Sequence, residues 1–190
     1  MEQRIKGTTG LLALIGSPVG HSGSPAMYNF SFQYHNLDYA YMAFDIKEDE
    51  VPAALDAMRL FKMRGCNVTM PCKNKAAQCV DELSPAARIV GAVNTIVNEN
   101  GKLVGHITDG TGFVRNLKEH GVDVKGKKMV VLGAGGAATA LQVQCALDGA
   151  ARISIFNPND VFLDRAKSTA EKLEKEVPEC KVNVYCIEDQ

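Results

Sequence analysis

The 190-residue chain has room for one large domain or two small ones, at roughly 100 to 200 residues per domain. Hydrophobic residues at 46% and charged residues at 23% place it among folded globular chains and outside the low-hydrophobicity, high-charge range of disordered ones. Lys plus Arg (21) offset Asp plus Glu (22), so no overall field would hold the chain on nucleic acid or on an anionic membrane, and neither partner is expected. Any anion must therefore be caught by local geometry.

The sequence holds no apolar stretch near the roughly 20 residues that span a bilayer, and the early run at 11–15 is too short for a signal-peptide core; a cytoplasmic location is expected. The six cysteines (Cys66, Cys72, Cys79, Cys145, Cys180, Cys186) form no C-x-x-C pair, which predicts reduced, mostly buried thiols. The four histidines form no H-x-x-x-H pattern, so no metal site is expected.

In chain order, apolar β-rich runs alternate with segments of helical period, the pattern of an α/β protein with a largely parallel sheet. Residues 11–15 read as a first strand. Ser24-Pro25 opens a helix, with serine as N-cap and proline at the first helical position, where a missing N–H costs nothing. A second strand follows at 39–46, then a helix at 48–61 with Val51, Leu55 and Met58 on one face. Residues 66–70 make a third, short strand, and Pro71 starts a helix reaching about residue 83. Segments 94–98 and 102–108 flank Glu99-Asn100-Gly101, an Asn-Gly turn that predicts an antiparallel hairpin. Asp109 then caps a helix ending near Gly121.

A boundary is expected at 122–128, which lacks large apolar residues and carries three lysines around Gly126, so the chain divides into 1–122 and 123–190. Beyond it come a buried strand at 129–132, a helix at 135–147 closed by Gly149, and a strand at 152–156. An amphipathic helix at 160–177 turns Phe162, Ala166, Ala170, Leu173 and Val177 inward, and a third strand follows at 182–187.

Gly133-Ala134-Gly135-Gly136-Ala137-Ala138 fits G-x-G-x-x-A between a strand and a helix. Gly133 would allow the tight turn, Gly135 and Gly136 a close approach of backbone to a pyrophosphate, and Ala138 close packing of helix on strand. Free N–H groups at the helix start supply the anion site. The pattern predicts dinucleotide binding; a plain glycine-rich turn is the alternative. The next strand ends at Asn157-Pro158-Asn159-Asp160, where an acid can accept hydrogen bonds from the ribose hydroxyls of NAD but repels a 2'-phosphate. With no arginine before Arg165, NAD is expected ahead of NADP. Asp160 could equally serve only as a helix cap, and the two roles can coexist.

Upstream, Gly20-His21-Ser22-Gly23-Ser24-Pro25 sets two hydroxyls just before a helix N-terminus, where backbone donors and the dipole favour a carboxylate, although alone it reads as an N-cap. Asn67-Val68-Thr69-Met70-Pro71-Cys72-Lys73 puts a hydroxyl and a lysine at the mouth of a strand; a lone lysine there is ordinarily solvated surface. Gly91-Ala92-Val93-Asn94-Thr95 adds an amide, and Thr108-Asp109-Gly110-Thr111-Gly112-Phe113 adds a carboxylate.

Together, S-x-S-P, N-V-T-x-P-x-K, G-A-V-N-T, T-D-G-x-G-F and the G-A-G-G-A loop resemble the shikimate dehydrogenases, including their quinate/shikimate dehydrogenase branch, in order and spacing from about residue 11 onward. The resemblance implies an α/β substrate domain with a mostly parallel sheet, followed by the first, incomplete half of a Rossmann dinucleotide-binding domain. It implies reversible oxidation of the shikimate ring hydroxyl to the ketone of 3-dehydroshikimate with NAD or NADP, a step of aromatic amino acid biosynthesis, with quinate as a further substrate.

Ser22 and Ser24 match residues that hold the substrate carboxylate, and Thr69, Asn94 and Asp109 match residues that bind ring hydroxyls. Lys73 matches the catalytic lysine, which Asp109 would orient and hold cationic. In ketone reduction an alkoxide develops as hydride arrives, and an ammonium beside it can stabilise that charge and donate the proton. Gly133, Ala134, Gly135, Gly136, Ala137, Asn157 and Asp160 match the cofactor-binding positions. A homo-oligomer is compatible with the pattern.

Three residues depart from it. Ile107 replaces an asparagine before Thr108-Asp109, Cys72 stands where histidine or asparagine is common, and Pro158 replaces an arginine that serves a 2'-phosphate or stacks on adenine. Residues 127–190 fit only the first mononucleotide half, whereas family members continue into a second half and a C-terminal helical segment with a further substrate-binding glutamine. A C-terminally truncated member is therefore expected, with an exposed edge and an uncovered apolar face at its third strand. A catalytic chain and a non-catalytic remnant that only binds substrate both fit; a bare NAD-binding module would leave four motifs unexplained.

Overall fold

The computed structural model describes residues 5–189, which pack as two units: residues 5–87 with 91–106, and residues 88–90 with 107–189. The first unit runs β1 (Gly10–Gly16), α1 (Ser24–Tyr34), β2 (Tyr39–Asp45), α2 (Val51–Leu60), β3 (Gly65–Val68), α3 (Lys73–Cys79), β4 (Glu82–Leu83), α4 (Pro85–Val90), β5 (Thr95–Glu99) and β6 (Lys102–His106). Its six-stranded sheet has the order β2-β1-β3-β5-β6-β4. β1 is parallel to β2 and β3, while β5 runs antiparallel to β3 and β6.

Alternation along β1 feeds two cores. Leu12 and Leu14 pack with Phe32 and Tyr28 of α1 and with Tyr39 and Tyr41 of β2. Leu11 and Ile15 face α2, whose Val51, Leu55 and Met58 are buried as their spacing predicts; Leu11, Ile15, Leu55, Met58 and Cys66 line an apolar cavity of ≈ 250 Å³. β2 is an edge strand, and Asn29 of α1 occupies part of its open edge: its Oδ1 accepts from Tyr41 N–H and its Nδ2 donates to Tyr41 O.

Two local expectations change. The helix expected from Pro71 to about 83 stops at Cys79, because the next residues are drawn into the sheet: Asp81 N–H donates to Leu103 O, and the Asp81 carboxylate accepts from Leu103 N–H and Arg59. Ser84-Pro85 then opens the separate helix α4, with Ser84 Oγ accepting from Ala87 N–H. At α1 the N-cap is Gly23 rather than Ser24, and the hydroxyl that reaches the helix start is that of Ser22, which accepts from Ser24 N–H at 3.2 Å.

The second unit contains α5 (Asp109–Glu119), β7 (Lys128–Leu132), α6 (Gly136–Leu147), β8 (Arg152–Asn157), α7 (Val161–Glu176) and β9 (Lys181–Cys186), with β7-β8-β9 a parallel sheet. The packing division therefore falls earlier than 122/123, with α5 in the second unit. Gly110 makes this close docking sterically feasible: a Cβ on it would lie 2.3 Å from the Ala140 carbonyl oxygen of α6. The N-cap of α5 is Thr108, and Asp109 lies in its first turn.

β7 is not buried. It forms one edge of the sheet, and Val130 and Leu132 are 67% and 77% exposed, so the uncovered apolar surface lies on the first strand of this unit rather than the third. On α7 the buried face is Leu163, Ala166, Thr169, Ala170 and Leu173; Phe162 is exposed and Val177 half-buried, outside that face. Among the described residues all six cysteines are free thiols, no group of three or more His, Cys, Asp or Glu could hold a metal, and no helix is long and apolar enough to cross a membrane.

Candidate substrate and nucleotide sites

In the first unit, the chain leaves the C-terminal ends of β1 and β3 in loops that are stitched together by their backbones. Thr69 N–H donates to Ile15 O at 2.9 Å, Ser17 N–H to Met70 O at 3.0 Å, Val68 N–H to Asn94 O at 2.8 Å, and Val93 N–H to Lys73 O at 3.1 Å. Thr69 and Lys73, four residues apart on one loop, are thereby brought to the same end of the sheet as Asn94, which lies well downstream in sequence. Ser22 and Ser24 lie in the loop that leaves β1 at this same end and in the first turn of α1. All five side chains are half-buried, between core and solvent. Gly16 makes the close approach of β1 to Thr69 feasible, having a φ of +153° and no room for a Cβ.

Asn94 sits at the end of a chain of side-chain hydrogen bonds that the sequence reading missed. Tyr41 OH donates to Asn67 Oδ1 at 2.8 Å, Asn67 Nδ2 donates to Thr95 Oγ1 at 3.2 Å, and Thr95 Oγ1 donates to Asn94 Oδ1 at 3.1 Å. Burial raises the Tyr41 phenol above its ordinary range, so it stays a proton donor. Nothing in the spacing of these residues announces the chain, because it crosses three strands. Cys72, the departure beside Lys73, is buried and donates its Sγ–H to Ile46 O at 3.1 Å. Burial, then Glu48 and Glu50, push its thiol up, and its Sγ–H bond anchors the start of α3.

Asp109, the remaining substrate-site candidate, is exposed in the first turn of α5 in the second unit. The same unit carries the glycine loop between β7 and α6. Gly133 has a φ of +99°, which favours glycine, and its N–H donates to Phe156 O at 2.7 Å. The loop carbonyls are turned toward protein: Gln142 Nε2 donates to Gly133 O at 3.0 Å, and Thr139 Oγ1 reaches Ala134 O at 3.2 Å and Gly135 O at 3.1 Å. A Cβ on Gly133, Gly135 or Gly136 would meet nothing within 4 Å, and no side chain caps the start of α6. An open cradle beside uncapped helix N–H groups fits a dinucleotide pyrophosphate, with Gly135, Gly136 and Ala137 offering donors.

Asn157 departs from its expected part. It is 3% exposed, and its amide is taken up by protein: Oδ1 accepts from Ala134 N–H at 2.9 Å, and Nδ2 donates to Pro158 O at 2.8 Å and Asp160 Oδ1 at 2.7 Å. Asp160 caps α7, accepting from Phe162 N–H through the same Oδ1 at 2.9 Å.

The sequence profile described as the shikimate dehydrogenase substrate binding domain matches residues 14–96. A protein of Listeria monocytogenes serotype 4b (strain F2365) named shikimate dehydrogenase (NADP(+)) is 50% identical over 98% of this chain and 64% of its own length. One of Escherichia coli (strain SMS-3-5 / SECEC) named quinate/shikimate dehydrogenase is 47% identical over 95% of the chain and 62% of its own. The crystal structure of shikimate 5-dehydrogenase from Listeria monocytogenes in complex with shikimate and NAD superposes with a TM-score of 0.95 at 49% identity, covering 100% of this chain and 65% of that one. The chain thus spans just under two thirds of the relatives it matches.

Proposed function

We propose that this chain, which belongs to the shikimate dehydrogenase family, binds shikimate at the C-terminal ends of β1 and β3 and takes part in its reversible oxidation to 3-dehydroshikimate with NAD or NADP. The observation that carries this reading is the convergence of Thr69, Lys73 and Asn94 through backbone bonds, within or beside the region the substrate-domain profile matches. In it, the Ser22 and Ser24 hydroxyls hold the substrate carboxylate, and Thr69, Asn94 and Asp109 bind the ring hydroxyls.

A bound nicotinamide dinucleotide supplies the hydride chemistry. In the oxidation direction Lys73 Nζ, as the amine, takes the proton from the reacting hydroxyl; in reduction its ammonium stabilises the alkoxide and returns that proton. The glycine loop fits the pyrophosphate, and Asp160 supports NAD over NADP, since its charge would repel a 2'-phosphate. Quinate is a second substrate in this reading, favoured by the Escherichia coli relative, which is named quinate/shikimate dehydrogenase. Its partners are these small molecules, in the cytoplasm.

The test is a spectrophotometric assay of NADH and NADPH formation on shikimate and on quinate, with Lys73→Ala as control. A rate that disappears in Lys73→Ala supports the catalytic reading. No Lys73-dependent rate, with shikimate still raising the melting temperature, overturns turnover and leaves substrate binding alone.

A further inference from the structure

Four polar side chains are buried among the described residues, Thr139, Gln142, Asn157 and Thr169, and three of them converge on the glycine loop. Burying an amide is costly unless its donors and acceptor are matched. Asn157 matches them in a particular way: its three bonds end on the loop, on the turn after β8, and on the carboxylate of Asp160. One amide group therefore touches both places where the nucleotide reading puts the adenosine half of a dinucleotide, the pyrophosphate loop and the ribose acid.

We propose that Asn157 is a positioning residue that fixes Asp160 relative to the glycine loop, so that pyrophosphate and ribose are read as one unit, and that this coupling sets the preference for NAD over NADP. The proposal rests on the nucleotide reading above and deepens it.

The two oxygens of Asp160 have different tasks. Oδ1 takes two donors, Asn157 Nδ2 and Phe162 N–H. Oδ2 has no hydrogen bond among the described residues and is the oxygen left for ribose hydroxyls. A carboxylate held by its cap alone has a broad, nearly two-fold χ2. The second donor, from a buried amide anchored on Ala134, selects one orientation and refers it to the loop. The bond to Ala134 satisfies the buried amide oxygen and at the same time ties the β8–α7 turn to the glycine loop.

Asn157→Leu is close to isosteric, adds no charge beside Asp160, and removes both Nδ2 donors together with the acceptor for Ala134 N–H. Calorimetric titration of the 190-residue chain with NAD and with NADP, alongside thermal melts, reads the result. The wild type is expected to bind NAD more tightly. Asn157→Leu is expected to weaken NAD about tenfold, as losing a charge-assisted bond would, and NADP less, so that the preference narrows. In a double-mutant cycle, Asn157→Leu added to Asp160→Asn is expected to cost no further discrimination, because Asn157 acts through Asp160.

An unchanged NAD-to-NADP ratio in Asn157→Leu, whatever its melting temperature, would show a merely structural role and overturn the proposal. Additive effects in the cycle would overturn it too. A wild-type chain that binds neither nucleotide would instead overturn the nucleotide reading itself, and one that prefers NADP would overturn the assignment to Asp160.

Discussion

Gly16 lies against Thr69 with no space for a methyl group between them: a Cβ at Gly16 would stand 2.4 Å from Thr69 Cγ2 and 2.9 Å from Met70 O. The end of β1 and the start of the loop that leads to Lys73 are thus held at a spacing that only glycine permits. Gly16→Ala is expected to destabilise the chain by about 1–3 kcal/mol, through strain at positive φ and overpacking. It should also displace Thr69, so shikimate should protect the variant less than the wild type in melts. Urea midpoints and shikimate-dependent melting temperatures check both; full ligand protection in a destabilised variant would detach Thr69 from the site.

Tyr41→Phe removes the first donor of the chain that ends on Asn94 and leaves Asn67 Oδ1 without it. The expected cost in stability is about 1–2 kcal/mol. Because the same bond orients Asn67 and, through Thr95, the Asn94 amide, shikimate affinity should fall several-fold while NAD affinity is unchanged. Calorimetry with the two ligands separates these; equal losses for both would point to a general loosening.

Asp81 carries a pH dependence. The backbone N–H of Leu103 first, and the Arg59 guanidinium second, hold its carboxyl below the ordinary value of 3.8. A group whose pKa is lowered on folding contributes stability that is fully present above its unfolded value, near pH 4, and is lost as the pH falls through the lower folded value. The chain should therefore weaken on acidification below about pH 4. Asp81→Asn should be less stable at pH 6 to 7, by about 1 kcal/mol or less for a pair this open to solvent, with the difference shrinking toward pH 3. Urea midpoints across that range test it; a difference independent of pH would remove Asp81 from the account.

What the sequence disclosed was mostly what is local. The Asn100-Gly101 turn, the α2 face of Val51, Leu55 and Met58, and the strand-loop-helix at Gly133 all follow from spacing along a few residues, and each is present. Ser84-Pro85 carries the same signal as Ser24-Pro25, yet the reading in chain order places no helix there and extends the one from Pro71 to about residue 83, because the pull of Leu103 on Asp81 is a contact 22 residues away. Partners across strands were equally hidden: Tyr41 to Asn67, or Asn157 to Ala134, depend on register. Asn157 looked like a ligand contact because its position is right; only its burial reveals that protein already occupies its amide. β7 looked buried because its composition is apolar, and composition does not say whether a strand is central or at an edge.

That edge makes the last prediction. Lys128, Val130 and Leu132 alternate onto one face of β7, where Val130 and Leu132 are 67% and 77% exposed, while Met129 and Val131 are half-buried on the other. An open strand edge beside exposed aliphatic side chains favours association with other chains. Val130→Lys puts a charge in the middle of that face without removing a packed side chain, so it should change stability by no more than about 0.5 kcal/mol. Self-association of the 190-residue chain, followed by light scattering against concentration, should fall markedly in the variant. Equal scattering from both proteins would mean that β7 is not the surface through which the chain associates.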